Sequence, residues 1–358
     1  MNKSGFILLL TAFLTLGACT EKLTDPTGPY TLSADKTTIE SDGKDAVTFV
    51  ITDANGLVLT DEGYLRNTSF HIAETDEWIS GVGSDVAPNV FTSIIDGTYT
   101  VSAMYSGEMC TNEVKVTSRN RSKYEMFHKN VAIYRLTATW CQYCPYMTEA
   151  LNNVNDYTKD HSVIMEFHNT DEFSVPFNAT MDMAAFLLDK YGTKDDGYPY
   201  CIYSLSQGSG KRTVMDIQKF VKNQLYMNPA RTGVKATSVF KDGKIEISAT
   251  VKASAAGKYD LGVAVLRDSC TPTSSSAMEN SYDNVVTLIT GNFHGLSDEA
   301  FQLGANEEKQ IDTDVEAAIL QSGDYRIALF TIAEVDGKAV IDNVFTFDAG
   351  DSIEYKYN

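Results

Sequence analysis

Two cysteines three residues apart, Cys141 and Cys144, carry the clearest chemical signal in this chain. They follow an apolar run, Val131 to Leu136, and open a stretch in which Cys144, Met147, Leu151 and Val154 recur at helical spacing. A C-x-x-C pair at such a turn lets two sulfurs close a small disulfide within one helical turn. Cys141, at the helix start, would face unsatisfied backbone N–H groups and the positive end of the helix dipole. Both favour thiolate, so its pKa is expected to fall from about 8.5 into the roughly 3.5–7.5 range of such motifs. The exposed Cys141 thiolate would attack a substrate disulfide, and Cys144, deeper in the turn, would resolve the mixed disulfide. A disulfide that merely staples the fold uses the same spacing. A structural zinc site needs four ligands, and the sequence has no second C-x-x-C and no paired histidines. His71, His128, His161, His168 and His294 are scattered and read as surface or core histidines; His168 ends a strand, either near the site or as a bystander.

The elements around the pair follow an α/β order. Val131–Leu136 and Ser162–Phe167 read as strands. Met183, Leu187, Leu188 and Tyr191 line a helix closed by Gly192. Gly197 to Tyr203 is a turn leading into a strand, and Val214, Ile217, Val221 and Leu225 mark a last helix. Pro145 suits a first helical turn, where its missing N–H is not needed.

With these elements in place, Trp140-Cys141-Gln142-Tyr143-Cys144-Pro145 resembles the W-C-x-x-C active site of the thioredoxin superfamily, and the likeness covers roughly residues 125–228. The resemblance implies that Tyr198-Pro199 is the family's cis-proline loop, lying against the sulfurs and, with Trp140, positioning substrate. The acid that thioredoxin carries six residues before its first cysteine is replaced by Arg135. Arg135 either points at the site, favouring thiolate and a more oxidising disulfide, or points outward and does nothing. Gln142-Tyr143 is not the Gly-Pro of reducing thioredoxins, and Tyr143 is closer to periplasmic isomerases and oxidases, so the direction of electron flow stays open. Cys201, two residues beyond Pro199, is either a third thiol near the pair or a small buried strand residue. Cys110 and Cys270 fall in different units, and their pairing cannot be read from sequence.

The chain is 358 residues long, with 48 acids against 29 bases and a formal charge of −19. That balance excludes a duplex nucleic-acid partner, which needs Lys and Arg against phosphates. The acid is uneven: residues 30–118 carry 14 acids and 4 bases, residues 119–228 carry 12 of each, and 229–358 carry 20 and 11. A neutral middle between acidic flanks suggests three units. Residues 30–118 alternate in short runs broken by Asp42-Gly43, Asn55-Gly56 and Asp96-Gly97, a pattern that resembles bacterial immunoglobulin-like β-sandwiches. Residues 119–130 form a basic joint, either an anion site or a solvated linker. Residues 229–358 return to alternation and read as a second β-sandwich, with Asp268 to Tyr282 as a mobile Ser-rich loop. The expected fold is therefore an α/β thioredoxin-like central domain between an N-terminal immunoglobulin-like β-sandwich and a C-terminal β-sandwich.

Lys3 and the apolar run Phe6–Leu16 read as a signal too short to span a bilayer. Leu16-Gly17-Ala18-Cys19 resembles the lipobox of bacterial lipoproteins, which implies a signal peptide over 1–18, covalent lipid on Cys19 and a tether over 19–29. With the flanking β units, the chain resembles outer-membrane lipoproteins of Bacteroides-type bacteria. Thr20-Glu21-Lys22 lacks the dense acidic run that can mark surface export in that group, which favours the periplasmic side. Two functions fit. One is an envelope thiol–disulfide oxidoreductase acting on protein or small-molecule disulfides, with no cofactor besides its own cysteines and no metal. The other is a lipid-anchored binding or adhesion protein in which the thioredoxin-like unit is a scaffold.

Overall fold

A computed structural model describes residues 24–41, 43–80, 88–93, 97–119, 127–290, 292–316 and 325–357. The signal, Cys19 and most of the basic joint lie outside the described residues.

The N-terminal region runs β1 (Thr31–Ala34), β2 (Thr38–Glu40), β3 (Val47–Thr52), α1 (Glu62–Leu65), β4 (Thr68–Ile72), β5 (Glu77–Ser80), β6 (Val90–Phe91), β7 (Gly97–Tyr105), β8 (Glu108–Met109) and β9 (Val114–Arg119). β3 alternates buried and half-buried residues, as a strand with one face on a core must. A three-stranded sheet, β1-β3-β6, and a six-stranded one, β2-β9-β7-β4-β5 with β8 on β7, share one core that includes Phe49, Phe70, Val101 and Val116.

The middle runs β10 (Val131–Thr137), α2 (Cys144–Asn152), α3 (Asp156–Asp160), β11 (Ser162–His168), α4 (Met183–Tyr191), β12 (Tyr200–Tyr203), β13 (Gln207–Ser209) and α5 (Val214–Met227). The C-terminal region adds β14 (Thr232–Lys241), β15 (Lys244–Ala253), β16 (Gly257–Arg267), β17 (Val285–Ile289), β18 (Phe301–Leu303), β19 (Glu308–Glu316), β20 (Tyr325–Val335), β21 (Lys338–Asp348) and β22 (Ser352–Ile353). Asp242-Gly243 and Asp336-Gly337 join long hairpins, and all four residues have positive φ, the geometry that two-residue loops of twisted strands require.

The expected α/β core between two separate β-sandwiches is not what the chain builds. Among the described residues 46% are in strands and 13% in helices, so the molecule is mainly β. The middle strands close no sheet of their own. They run on into the C-terminal strands as one nine-stranded sheet, β13-β12-β10-β11-β17-β16-β20-β21 with β18 on β16. The link is β11 beside β17, where Glu166 pairs in parallel with Val285. The boundary drawn at 228/229 therefore cuts through one sheet. The physical reason is edge protection: an apolar β11 left open would be a sticky edge, and β17 covers it.

One face of this sheet is covered along its length by α4 and aromatic loops, in a core containing Tyr134, Phe167, Leu187, Phe293 and Phe330. The other face has two covers. Helices α2 and α5 pack on β10 and β12 through Met147, Leu151, Val221 and Leu225. The four-stranded sheet β19-β15-β14-β22 packs on the far strands through Val234, Ile247, Val265 and Leu329. Between the two covers lies a seam, and the chemistry sits along it.

Candidate functional site

Cys141 and Cys144 are joined in a disulfide, with their Cα atoms 5.4 Å apart. Helix α2 begins at Cys144, with Pro145 in its first turn. Cys141 lies in the preceding turn, where its N–H donates to Ala138 O at 3.1 Å and its carbonyl accepts from Cys144 N–H at 3.2 Å. The sequence placed Cys141 exposed at the helix start. Instead it is 4% exposed, against 1% for Cys144. Both cysteines are buried with Ala138, and Tyr198 packs against the three. The Tyr198–Pro199 peptide is cis, as the resemblance implied.

Around this closed pair the surface is aromatic. Trp140, Tyr143 and Tyr146 are each about half exposed (48, 57 and 59%), too much for core residues. The indole of Trp140 meets the Tyr198 ring edge-on at 6.0 Å and donates to Asn169 O at 3.0 Å. Tyr143 lies under the Arg212 guanidinium, 5.2 Å from ring centre. Tyr143 and Tyr146 line an open groove of about 1010 Å³ together with Gly208, Ser209, Lys211 and Arg212.

Beneath the disulfide the sheet presents charge. Arg135 points at the site, not outward, and is 1% exposed. Its strand register sets it beside Glu166 on β11 and Cys201 on β12. Its guanidinium is paired with Glu166, hydrogen-bonds Thr148, donates to Cys144 O at 3.2 Å and lies 3.4 Å from Glu279 Oε1. Thr148 Oγ1 donates to the same Glu279 oxygen at 2.9 Å. Burial alone would depress the Arg135 pKa, but the Glu166 and Glu279 carboxylates outweigh it, and the group stays a firm cation. Burial raises the Glu166 carboxyl, with Arg135 opposing.

His168 continues this polar row. Its Nδ1 lies 2.9 Å from Asp171 Oδ2, which also accepts the Thr139 N–H at 2.7 Å. Burial works against charge on Asp171, but His168 and the backbone N–H groups of Thr139 and Phe173 hold its carboxyl below the ordinary range. The row thus fixes the residue that precedes Trp140. Of the two places the sequence left open for His168, the structure shows the one near the site.

Cys201 is fully buried but packs with the helix-facing cluster, apart from the group formed by Ala138, the two disulfide cysteines and Tyr198. Burial pushes its thiol up to about 12, with Arg135 opposing. It is a buried strand residue rather than a third reactive thiol. Cys110 and Cys270 are also free, so no bridge joins their units.

The loop Asp268–Tyr282 was expected to be mobile. It is pinned: Met278 N–H donates to Thr139 O at 2.9 Å, and Thr273 N–H to Glu172 at 2.7 Å. Its Cys270 and Tyr282 exchange backbone hydrogen bonds at 2.8 and 2.9 Å, closing its base. Elsewhere, the supposedly scattered His128 and His161 stack at 4.4 Å beside Asp160. Their ligand atoms and that of Asp160 lie within 4.8 Å of one another, a spacing that could hold a metal ion. The Lys356 ammonium, 3.2 Å from His128 Nε2 and 3.1 Å from Asp160 Oδ1, already supplies a cation there.

Glu166 and Glu279 were missed in the sequence. Glu166 had a signal: one charge in each of two otherwise apolar strands, VAIYRLT and SVIMEFH, marks a buried pair. Glu279 had none, because a loop 144 residues from Arg135 brings it in.

No family profile and no curated protein matches the chain. Among solved structures, HBP35 of Porphyromonas gingivalis is similar over 63% of this chain and 77% of its own, at 17% identity and a TM-score of 0.52. A protein from Agrobacterium tumefaciens aligns over 64% of this chain and 98% of its own, at 15% identity and a TM-score of 0.40. The Yersinia pseudotuberculosis adhesin InvE covers 89% of this chain and 58% of its own, at 11% identity and a TM-score of 0.19. The first likeness extends to the fold and no further.

Proposed function

We propose that the protein is a thiol–disulfide oxidoreductase of the cell envelope, held at the outer membrane by lipid on Cys19. The observation that carries this reading is the Cys141–Cys144 disulfide itself, set at the start of α2 with the Cys144 carbonyl gripped by a buried arginine. A disulfide serving only as a staple has no need of a cation beneath it or of three exposed aromatics around it. In the reduced protein the Cys141 thiolate attacks one sulfur of a substrate disulfide and releases a substrate thiolate. Cys144 then attacks the Cys141 sulfur, releases the second thiolate and closes the pair. Two electrons pass to the substrate; a dithiol substrate runs the sequence backwards. Trp140 and the Tyr198-Pro199 loop would position the substrate.

Replacing Cys144 with Ser should trap envelope proteins or small thiols as mixed disulfides on Cys141, seen as reductant-sensitive adducts. No adduct, with Cys141 unreactive toward alkylation after gentle reduction, defeats the reading. Replacing Cys19 with Ser should shift the protein out of the membrane fraction; unchanged fractionation and retained lipid label defeat the anchor. Among the described residues no helix is long and apolar enough to cross a membrane.

The second reading, a lipid-anchored binding or adhesion protein, is favoured by one observation. Cys141 is only 4% exposed, so a partner must open the turn before chemistry can begin.

A further inference from the structure

The loop from Asp268 to Tyr282 comes from the C-terminal strands, yet it touches the disulfide turn at both ends. Met278 N–H holds Thr139 O at 2.9 Å, two residues before Cys141. Glu279 Oε1 accepts from Thr148 on α2 at 2.9 Å and lies 3.4 Å from Arg135, which also donates to the Cys144 carbonyl. The Tyr282 ring meets His168 edge-on at 5.0 Å. The loop therefore brings one carboxylate, that of Glu279, to the buried pair on β10 and β11. That carboxylate faces Arg135 and Glu166, with His168, Asp171 and Cys201 behind them.

This cluster is short of partners. Arg135 Nε, Glu166 Oε2 and His168 Nε2 are buried side-chain atoms with no hydrogen-bond partner among the described residues. In such an under-satisfied, low-dielectric setting a single charge has more leverage than at the surface. Glu279 brings its carboxylate to within 3.4 Å of Arg135, the same guanidinium that donates to the Cys144 carbonyl, so it acts on the electrostatics of the turn that holds the two sulfurs.

We propose that Glu279 sets the thiol–disulfide equilibrium of the Cys141–Cys144 pair, making the C-terminal loop a working part of the site. Glu279 is a positioning residue and touches no reacting atom. The proposal rests on the exchange reading above. When a dithiol substrate reduces the pair, the S–S bond opens and two electrons enter. The substrate gives up two protons and closes its own disulfide. One proton goes to Cys144, and the other to Cys141 or, where Cys141 stays a thiolate, to solvent. The Glu279 carboxylate opposes that thiolate, so it holds the pair toward the disulfide.

Removing the charge should release the reduced form. In the full chain, Glu279→Gln should shift the equilibrium with glutathione about tenfold toward the dithiol, or about 30 mV less negative. The pH dependence of Cys141 alkylation should move to lower pH alongside it. Glu279→Asp keeps the charge and should restore both. Thr148→Val removes the hydroxyl that Arg135 and Glu279 share without removing charge, so it should move the alkylation profile clearly less than Glu279→Gln does. An unchanged equilibrium in Glu279→Gln, with the parent still exchanging, overturns the Glu279 proposal alone. A Thr148→Val shift as large as that of Glu279→Gln makes the loop merely structural and also overturns it. A parent that exchanges no thiols defeats the underlying reading instead.

Discussion

Arg135 is the residue on which the site turns. A cation 1% exposed is tolerable only because Glu166 and Glu279 answer it. Replacing Arg135 with Leu strands Glu166 in the core, and urea denaturation should show a loss of roughly 3–5 kcal/mol. The double variant Arg135→Leu/Glu166→Leu should recover much of it, since the fully buried Glu166 charge goes with its partner and only the more exposed Glu279 is left without its cation. A single variant within about 1 kcal/mol of the parent would contradict the buried pair. The sequence announced a basic residue where a related site has an acid, but left two orientations open, because alternation assigns a face and not what covers that face. The partner Glu166 could have been read from the strand pattern. The exposure of Cys141 was misread because a turn preceding a helix can fold inward, and local rules describe the helix end rather than that turn.

At the scale of elements, the clasp of His128 and His161 joins the end of α3 to the C-terminal segment through Lys356. Burial drives the His161 pKa down to about 4, against its ordinary 6.5, with His128 and Lys356 opposing its charge further and Lys129 O and Asp160 favouring it. His128 is lowered as well, again chiefly by burial. A folded pKa below the unfolded one means that the unfolded chain takes up the proton first. The contribution is therefore complete above about pH 6.5 and fades as pH falls toward 4. On the order of 3 kcal/mol should disappear over that window from His161. His161→Asn, which can keep a donor toward Lys129 O, should flatten the slope of stability against pH between 6.5 and 4. An unchanged slope would remove His161 from the clasp. The helices and most strands here were legible, since their apolar spacing is local. The clasp was not, because its members are up to 228 residues apart.

For the whole molecule, the shared nine-stranded sheet predicts joint folding of the middle and the C-terminal region. The charge balance in the sequence set a unit boundary at 228/229. In the fold, Arg231 N–H reaches the Asp342 carboxylate at 3.0 Å, and the Thr232 hydroxyl bonds it as well. Limited proteolysis should therefore spare 228–232, and a fragment of 119–228 should fail to unfold cooperatively, because Tyr134 and Phe167 would lose the cover of Phe293 and Phe330. A fragment that melts cooperatively would restore the separate central unit. Charge and periodicity change at that boundary, yet strand pairing ignores both. Which strands lie side by side is a long-range property that alternation does not encode.

The central claim, that Cys141–Cys144 exchanges with substrate, is tested most directly by the reduction potential of the pair in the full chain. Equilibration against glutathione or a stronger dithiol, followed by alkylation and mass measurement, gives it. A pair that exchanges with substrate should lie between about −120 and −270 mV, the span of working exchange proteins. A value below about −300 mV, where structural disulfides lie, would contradict it.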